Sequence, residues 1–156
     1  MKANIGITEN NLEAVAASLN ILLADEHVLY IKTRNYHWNV EGSNFMEMHQ
    51  FYESQYEQLA VKIDEIAERI RYMGHYAKGS LKRFLESTNL SEQDHTTVQK
   101  EQIQNLLSDH ETIIRRLHSE IEVFNDTYND PGTADFITGI MELHEKMAWM
   151  LRSYLN

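Results

Sequence analysis

The sequence predicts an all-α fold, a bundle of four long helices, on three observations. Helix breakers are scarce, with six glycines and one proline in 156 residues. Strong helix formers (Leu, Ile, Ala, Glu, Gln, Lys) are abundant. Apolar residues also recur at steps of three and four along four separate stretches, the spacing of a buried helical stripe. The length suits one domain, residues 1–156, with a sizeable core, and no repeat, low-complexity segment or interdomain linker divides it.

The first helix is predicted from Asn11 to about Trp38, with Leu12, Val15, Ala16, Leu19, Leu22, Leu23 and Tyr30 on its apolar side. Gly42 breaks it. Asn44 followed by Glu47 has the spacing of a capped start for the second helix. That helix carries Phe45, Met48, Tyr52, Leu59, Ile63, Ile66, Ile70 and Met73 inward, with Gln55 filling the one gap, and ends at Gly74. "GHYAKGSLKRFLESTNLS" then makes a long crossover, in which Leu81, Phe84 and Leu85 mark a short helix lying across the bundle. A third helix is predicted to open at Ser91, present Ile103, Leu106, Leu107, Ile114, Leu117, Ile121 and Phe124, and stop at "NDTYNDPGT". The fourth begins near Thr133 and carries Phe136, Ile140, Leu143, Met147, Met150 and Tyr154. Four long helices with one long middle connection describe a bundle of the ferritin-like crossover kind.

Composition narrows the chemistry. With no cysteine, thiolate metal sites, disulfides and cysteine nucleophiles are excluded, so any site must use nitrogen and oxygen donors. A net charge of −10 argues against a generic phosphate-binding surface and suits attraction of cations. The N-terminal residues have no apolar run resembling a signal peptide, and no segment is expected to reach the length of a membrane span. The expectation is a soluble, unprocessed, cytoplasmic protein.

The second helix carries a strip that is not core. Glu53, Glu57, Asp64 and Glu68 fall on one side of it at about 100° per residue, and His49 begins the strip near the core edge. A plain solvated acidic face would look the same, but the histidine sets this one apart. His49/Glu53 and Asp64/Glu68 are each spaced i, i+4, which lets two side chains reach one metal. His37 lies five residues before Gly42 and His49 seven after it, so a hairpin of the two helices would let them come near one another by the turn, although spacing does not show whether their rings converge. Asp64 is fifteen residues beyond His49, or about 22 Å along one helix at 1.5 Å per residue. Ligands of one ion lie within about 4 Å of each other. The two histidines therefore cannot share an ion with Asp64 and Glu68 of their own chain, whereas a second copy packed antiparallel about a two-fold axis would supply them. Imidazole with carboxylate suits Fe(II), Mn(II) or Zn(II), and spacing does not choose among these.

The stretch "NYHWNVEGSNFMEMHQFYESQYEQLAVKIDEIAERIRYMG", with the later "DPGTADF" and "EKMAWMLRSYL", resembles the signature of the Dps family, the miniferritins, over nearly the whole chain. This resemblance implies a hollow homo-dodecamer of two-fold dimers. Each interface would hold a ferroxidase site with two iron positions, oxidising Fe(II) with hydrogen peroxide or dioxygen and storing Fe(III) as mineral inside. By it, the catalytic ligands are His37 and His49 of one subunit with Asp64 and Glu68 of its neighbour, and Glu53 is a further metal carboxylate. Trp38 would sit beside the site and take up stray oxidising equivalents; from the residues alone it reads equally as a buried aromatic near a turn. Asp126, Asp130 and Asp135 would line cation-admitting pores, although as plain sequence they read equally as turn and cap residues. The run of acids that many relatives carry after the second histidine is replaced here by Gln50, Phe51, Tyr52, Glu53 and Ser54. Mineral nucleation would then rest on Glu53 and Glu57 or be less efficient.

Two readings compete, an iron-oxidising storage cage and a nucleoid-associated, DNA-protecting cage with minor metal activity. The missing basic tails weigh against the second, with only Lys2 before the first helix and only Arg152 after Trp149. His27, His75, His95, His110, His118 and His144 read as ordinary surface or hydrogen-bonded residues. Glu92 and His95 form a Glu-x-x-His pair with no counterpart on the second helix, which weakens a metal site inside one bundle.

Overall fold

The computed structural model describes residues 3–155, so Lys2 lies outside them. Five α-helices follow one another: α1 (Glu9–Asn39), α2 (Phe45–Tyr72), α3 (Leu81–Ser87), α4 (Gln99–Glu122) and α5 (Pro131–Ser153), with a π-helical turn at Val123–Thr127. The α1–α2 and α4–α5 hairpins pack together as a four-helix bundle, and α3 lies against α1. Lys32–Asp109 (2.6 Å) and Arg116–Asp25 (3.2 Å) tie α1 to α4 in antiparallel register.

Helix α1 starts on a Thr8 cap, whose hydroxyl accepts from the Asn11 amide. It is long and apolar enough to cross a membrane by length and composition, which corrects the expectation that no segment would be. Most of that stretch is buried inside the bundle, so its apolar character is core. Gly42, at φ +133°, makes the tight turn into α2. The cap expected there does not form: the Asn44 side chain accepts from Gln99 Nε2 at 2.6 Å, and Glu47 accepts from the Tyr154 hydroxyl at 2.7 Å.

The crossover is anchored by buried polar groups of α1. Asp25 accepts from the Thr88 hydroxyl (2.8 Å), the Asn89 amide (2.6 Å) and Arg116, while Asn20 accepts from the Lys78 amide at 2.8 Å. Helix α4 begins at Gln99, eight residues later than the predicted Ser91. The β-branched run Thr96, Thr97, Val98 resists helix, and the Thr96 hydroxyl is engaged with Glu101 and the Val98 amide. Helix α5 begins at Pro131 under an Asp130 cap, two residues before the predicted start.

The buried face of α5 is Ala134, Ile137, Ile140, Met141, His144, Met147, Ala148 and Leu151. Phe136, Leu143 and Met150 of the predicted stripe are half-buried at its edge and Tyr154 is exposed, because buried Thr133 and His144 hid the true centre of the face. On α4, Ile113 is core, while Leu107, Ile114 and Ile121 are half-buried.

Candidate functional site

The α1–α2 turn brings His37 and His49 ring to ring, with centroids 3.7 Å apart and planes 19° from parallel. Each Nδ1 meets the other residue's main-chain carbonyl, His37 to His49 at 2.8 Å and His49 to His37 at 2.9 Å. A carbonyl only accepts, so each Nδ1 donates its hydrogen, and in the neutral ring the lone pair is left on Nε2. The two imidazoles are locked by the backbone of the opposite helix in the tautomer a metal ligand requires.

The flanks are aromatic. Phe45 stacks on His49 at 5.1 Å, and Tyr56 meets the His37 ring edge to face at 5.2 Å. The Arg34 guanidinium lies over Tyr30, Trp38 and Tyr56 at 5.5, 5.0 and 5.4 Å. Trp38 is 61% exposed, which removes the reading of it as a buried aromatic. Glu53, one turn beyond His49, is half-buried, and its Oε1 accepts from the Tyr56 hydroxyl at 3.3 Å. Glu57 is exposed.

Asp64 and Glu68 are exposed farther along the same unbroken α2, about 22 Å from His49 for Asp64. Glu68 accepts from the Tyr72 hydroxyl at 3.2 Å. Among the described residues no three His, Asp or Glu side chains come together closely enough to hold a metal ion. One chain therefore keeps two groups apart, an imidazole pair at the α1–α2 turn and a carboxylate pair past the middle of α2.

The three aspartates proposed for pores stand differently. Asp126 and Asp135 are exposed. Asp130 is 3% exposed, caps α5 through the Thr133 amide (2.9 Å) and pairs with Arg69 at 3.5 Å. Its carboxylate is thus occupied by the helix start and by α2.

Two histidines that the sequence treats as ordinary are the most buried in the protein. His144 Nε2 donates to Glu26 Oε1 at 2.6 Å, and His144 Nδ1 lies 2.8 Å from His110 Nδ1, with all three side chains inside the bundle. Burial, then the neighbouring His144, pushes His110 well below the ordinary imidazole range. Nothing in their surrounding sequence marks them, since both sit within apolar helical spacing. His27 stacks on Phe84 at 3.8 Å, and Glu92 and His95 lie outside α4, so they form no helical ligand pair.

Comparison with known proteins gives a consistent picture. Residues 16–156 match the ferritin-like domain. The chain is 43% identical to an uncharacterized low temperature-induced protein of Nostoc sp. over 99% of its own length and 87% of that protein's. It is 35% identical to DNA protection during starvation protein 2 of Bacillus anthracis, over 88% of this chain and 94% of the other. Among solved structures it is similar to a Dps protein from Vibrio cholerae O1, described as a member of a broad superfamily of ferritin-like diiron-carboxylate proteins. That likeness has a TM-score of 0.93 and 30% identity, covering 100% of this chain and 98% of that one.

Proposed function

The chain belongs to the ferritin-like proteins as a Dps-type miniferritin, and from that premise we propose that it is a cytoplasmic ferroxidase and iron-storage cage. In this reading twelve copies assemble from two-fold dimers. At each dimer interface His37 and His49 of one subunit, with Glu53, face Asp64 and Glu68 of the next. The observation that carries it is that the His37–His49 pair at the α1–α2 turn and the Asp64–Glu68 pair on α2 are each short of a ligand set and lie too far apart along a rigid helix to meet within one chain.

The chain's own groups have defined tasks. The locked Nε2 atoms of His37 and His49 bind Fe(II) without having to reorient. Carboxylates from the second subunit complete the shell and balance charge as each iron goes from +2 to +3. Two Fe(II) ions held together pass both electrons to one hydrogen peroxide, giving two Fe(III) and two hydroxides with no release of a one-electron oxygen radical. The net charge of −10, with Asp126 and Asp135 on the surface, draws the cation in, and the exposed Glu57 with Glu53 offers oxygen donors for the first Fe(III) deposits.

Stopped-flow Fe(II) oxidation with peroxide tests this assignment. His37→Ala, His49→Ala, Asp64→Ala and Glu68→Ala are each expected to slow the fast phase about tenfold or more while the assembly stays intact. Rates equal to native in all four variants would end it.

The name of the Bacillus anthracis relative favours a second reading, DNA protection by direct binding. The overall charge opposes it: the chain carries a net charge of −10, with 24 Asp and Glu against 14 Lys and Arg. Gel shifts at neutral pH and physiological salt are expected to show little complex. A tight, salt-sensitive complex would favour the nucleoid-associated reading.

A further inference from the structure

Helix α3 is too short to be stable alone, yet it turns most of its apolar surface outward. Of the three apolar residues that mark it in the sequence, only Phe84 is buried, stacked on His27 of α1, while Leu81 is 71% and Leu85 50% exposed. On α1 the neighbouring Ile31 is 48% exposed. The two helices enclose a groove of about 230 Å³ whose apolar walls are Val28, Ile31, Leu81, Phe84 and Leu85. The buried charge that lines it, Lys32, is spent on Asp109 at 2.6 Å. An apolar patch of this kind, in a chain otherwise rich in charge, marks a contact surface.

The height of the groove along the bundle shows what covers it. Across the α1–α2 hairpin His37 stands opposite His49 and Tyr30 opposite Tyr56, so each step forward on α2 is a step back on α1. A two-fold axis that sets His49 of one copy beside Asp64 and Glu68 of the other crosses α2 midway between them, at Glu57 and Gln58. In the same register α1 presents Val28 and Leu29 at that height, and Val28 lines the groove one turn from Ile31. The apolar groove and the axis required by the divided ligands are independent observations, and they fall at one level of α1.

We infer that the α1–α3 groove is the apolar centre of the two-fold contact, with Ile31 of each copy seated in the other copy's groove at its His27–Val28 end; the inference rests on the shared-site reading above. The contact is isologous, so it is made twice in each dimer. Each copy carries a net charge of −10, and buried apolar area at the axis is what offsets that repulsion. A small ligand in the groove would leave the outward sides of Ile31 and Leu81 in water, whereas a second copy covers them. Ile31 thereby controls the metal site without touching a ligand, by bringing one copy's imidazoles to the other's carboxylates.

The chain has no cysteine, so a single introduced thiol reports its own surroundings. Ile31→Cys chains are expected to be joined into dimers by a short bifunctional maleimide, and the same chains with Leu85→Asp added are expected to stay single. Ile31→Asp and Leu85→Asp each bring an unpaired carboxylate into the contact. Both should weaken the dimer about a hundredfold or more in sedimentation equilibrium, and the fast phase of Fe(II) oxidation should be lost with it although all four ligands are present. Far-UV circular dichroism should stay native, since both side chains are about half exposed in the single chain. Ile31→Met, which keeps the contact apolar, should keep both dimer and activity. Where an Asp variant loses helix, the cross-link decides.

Dimers of native strength in the two folded Asp variants, or no cross-linking of Ile31→Cys, overturn the inference. The copies then meet elsewhere and the groove serves a small apolar ligand or another protein, while the ferroxidase assignment is untouched. If His37→Ala and Asp64→Ala leave Fe(II) oxidation at the native rate, the shared site is wrong, and the axis that places this contact falls with it.

Discussion

Assemblies built from His49→Ala chains alone, or from Asp64→Ala chains alone, are expected to lose the fast phase of Fe(II) oxidation, and assemblies made from an equal mixture to regain about a quarter of it. The expectation follows from symmetry. A two-fold dimer holds two equivalent sites, each taking histidines from one chain and carboxylates from the other. Random pairing makes about half of the dimers mixed. In a mixed dimer one site combines the mutated histidine with the mutated aspartate and is lost to both changes, while the other combines the intact histidines with the intact carboxylates. A site contained within one chain would gain nothing from mixing, since every chain carries a lesion. Co-expression with two different affinity tags, followed by stopped-flow measurement on assemblies that carry both, decides the matter. Activity no higher than the average of the two parents would refute the shared site.

The separation of the two ligand pairs along α2 is legible in the sequence. Helix rise is nearly constant, so His49 and Asp64 on one uninterrupted amphipathic stripe have a calculable separation, and metal–ligand distances set what that separation forbids. From Met48 the α2 stripe continued to Met73, with Ile63 half-buried and Gln55 buried in its gap at 1% exposure, whereas Phe45, predicted to face inward, is exposed. The break at Gly42 was also legible, as a glycine between two apolar stripes, while the hairpin itself and the positive φ that makes its turn came only with the structure.

Features set by tertiary partners were not legible. Asn44 and Glu47 have cap spacing, yet their side chains answer to Gln99 and Tyr154, residues 55 and 107 positions away. Helix α4 starts late because Thr96 binds Glu101 and the Val98 amide instead of entering the helix. Asp130 reads as a pore acid or a cap with equal ease, and Arg69, 61 positions away, accounts for its burial. Ring stacking of His37 on His49 likewise depends on main-chain carbonyls, which spacing does not locate.

The Glu26–His144–His110 chain is the clearest case of a feature hidden by apolar spacing, and it leads to the other large expected effect. Glu26→Ala should destabilise the protein by about 3–5 kcal/mol, because it leaves the His144 Nε2–H facing an apolar interior with no acceptor. The arrangement is linear: His144 uses its two ring nitrogens on opposite partners, so the three groups form a hydrogen-bonded chain with no common point for an ion. Glu26 Oε2 and His110 Nε2, its two ends, have no hydrogen-bond partner among the described residues. Such a chain is costly to bury and costly to break singly, so the triple change Glu26→Leu, His110→Leu, His144→Leu should recover most of what Glu26→Ala loses. Thermal melts at fixed protein concentration read both effects.

The same chain sets a pH response whose sign follows from His110. Its folded pKa lies well below the ordinary imidazole value of about 6.5 that it regains on unfolding. Below about pH 6.5 the unfolded chain therefore binds a proton that the folded chain refuses, and stability falls with falling pH by up to about 1.4 kcal/mol per unit for this one group. Above that pH the contribution is fully present. His110 contacts His144, which in turn holds Glu26, and its chain neighbour Asp109 pairs with Lys32 on the α1–α4 seam. His110→Leu should flatten the slope between pH 6.5 and 5 by about one proton's worth in denaturant melts of the assembled protein. An unchanged slope would show that His110 is protonated in the folded bundle, and that the proton shared between the two rings is accompanied by a second.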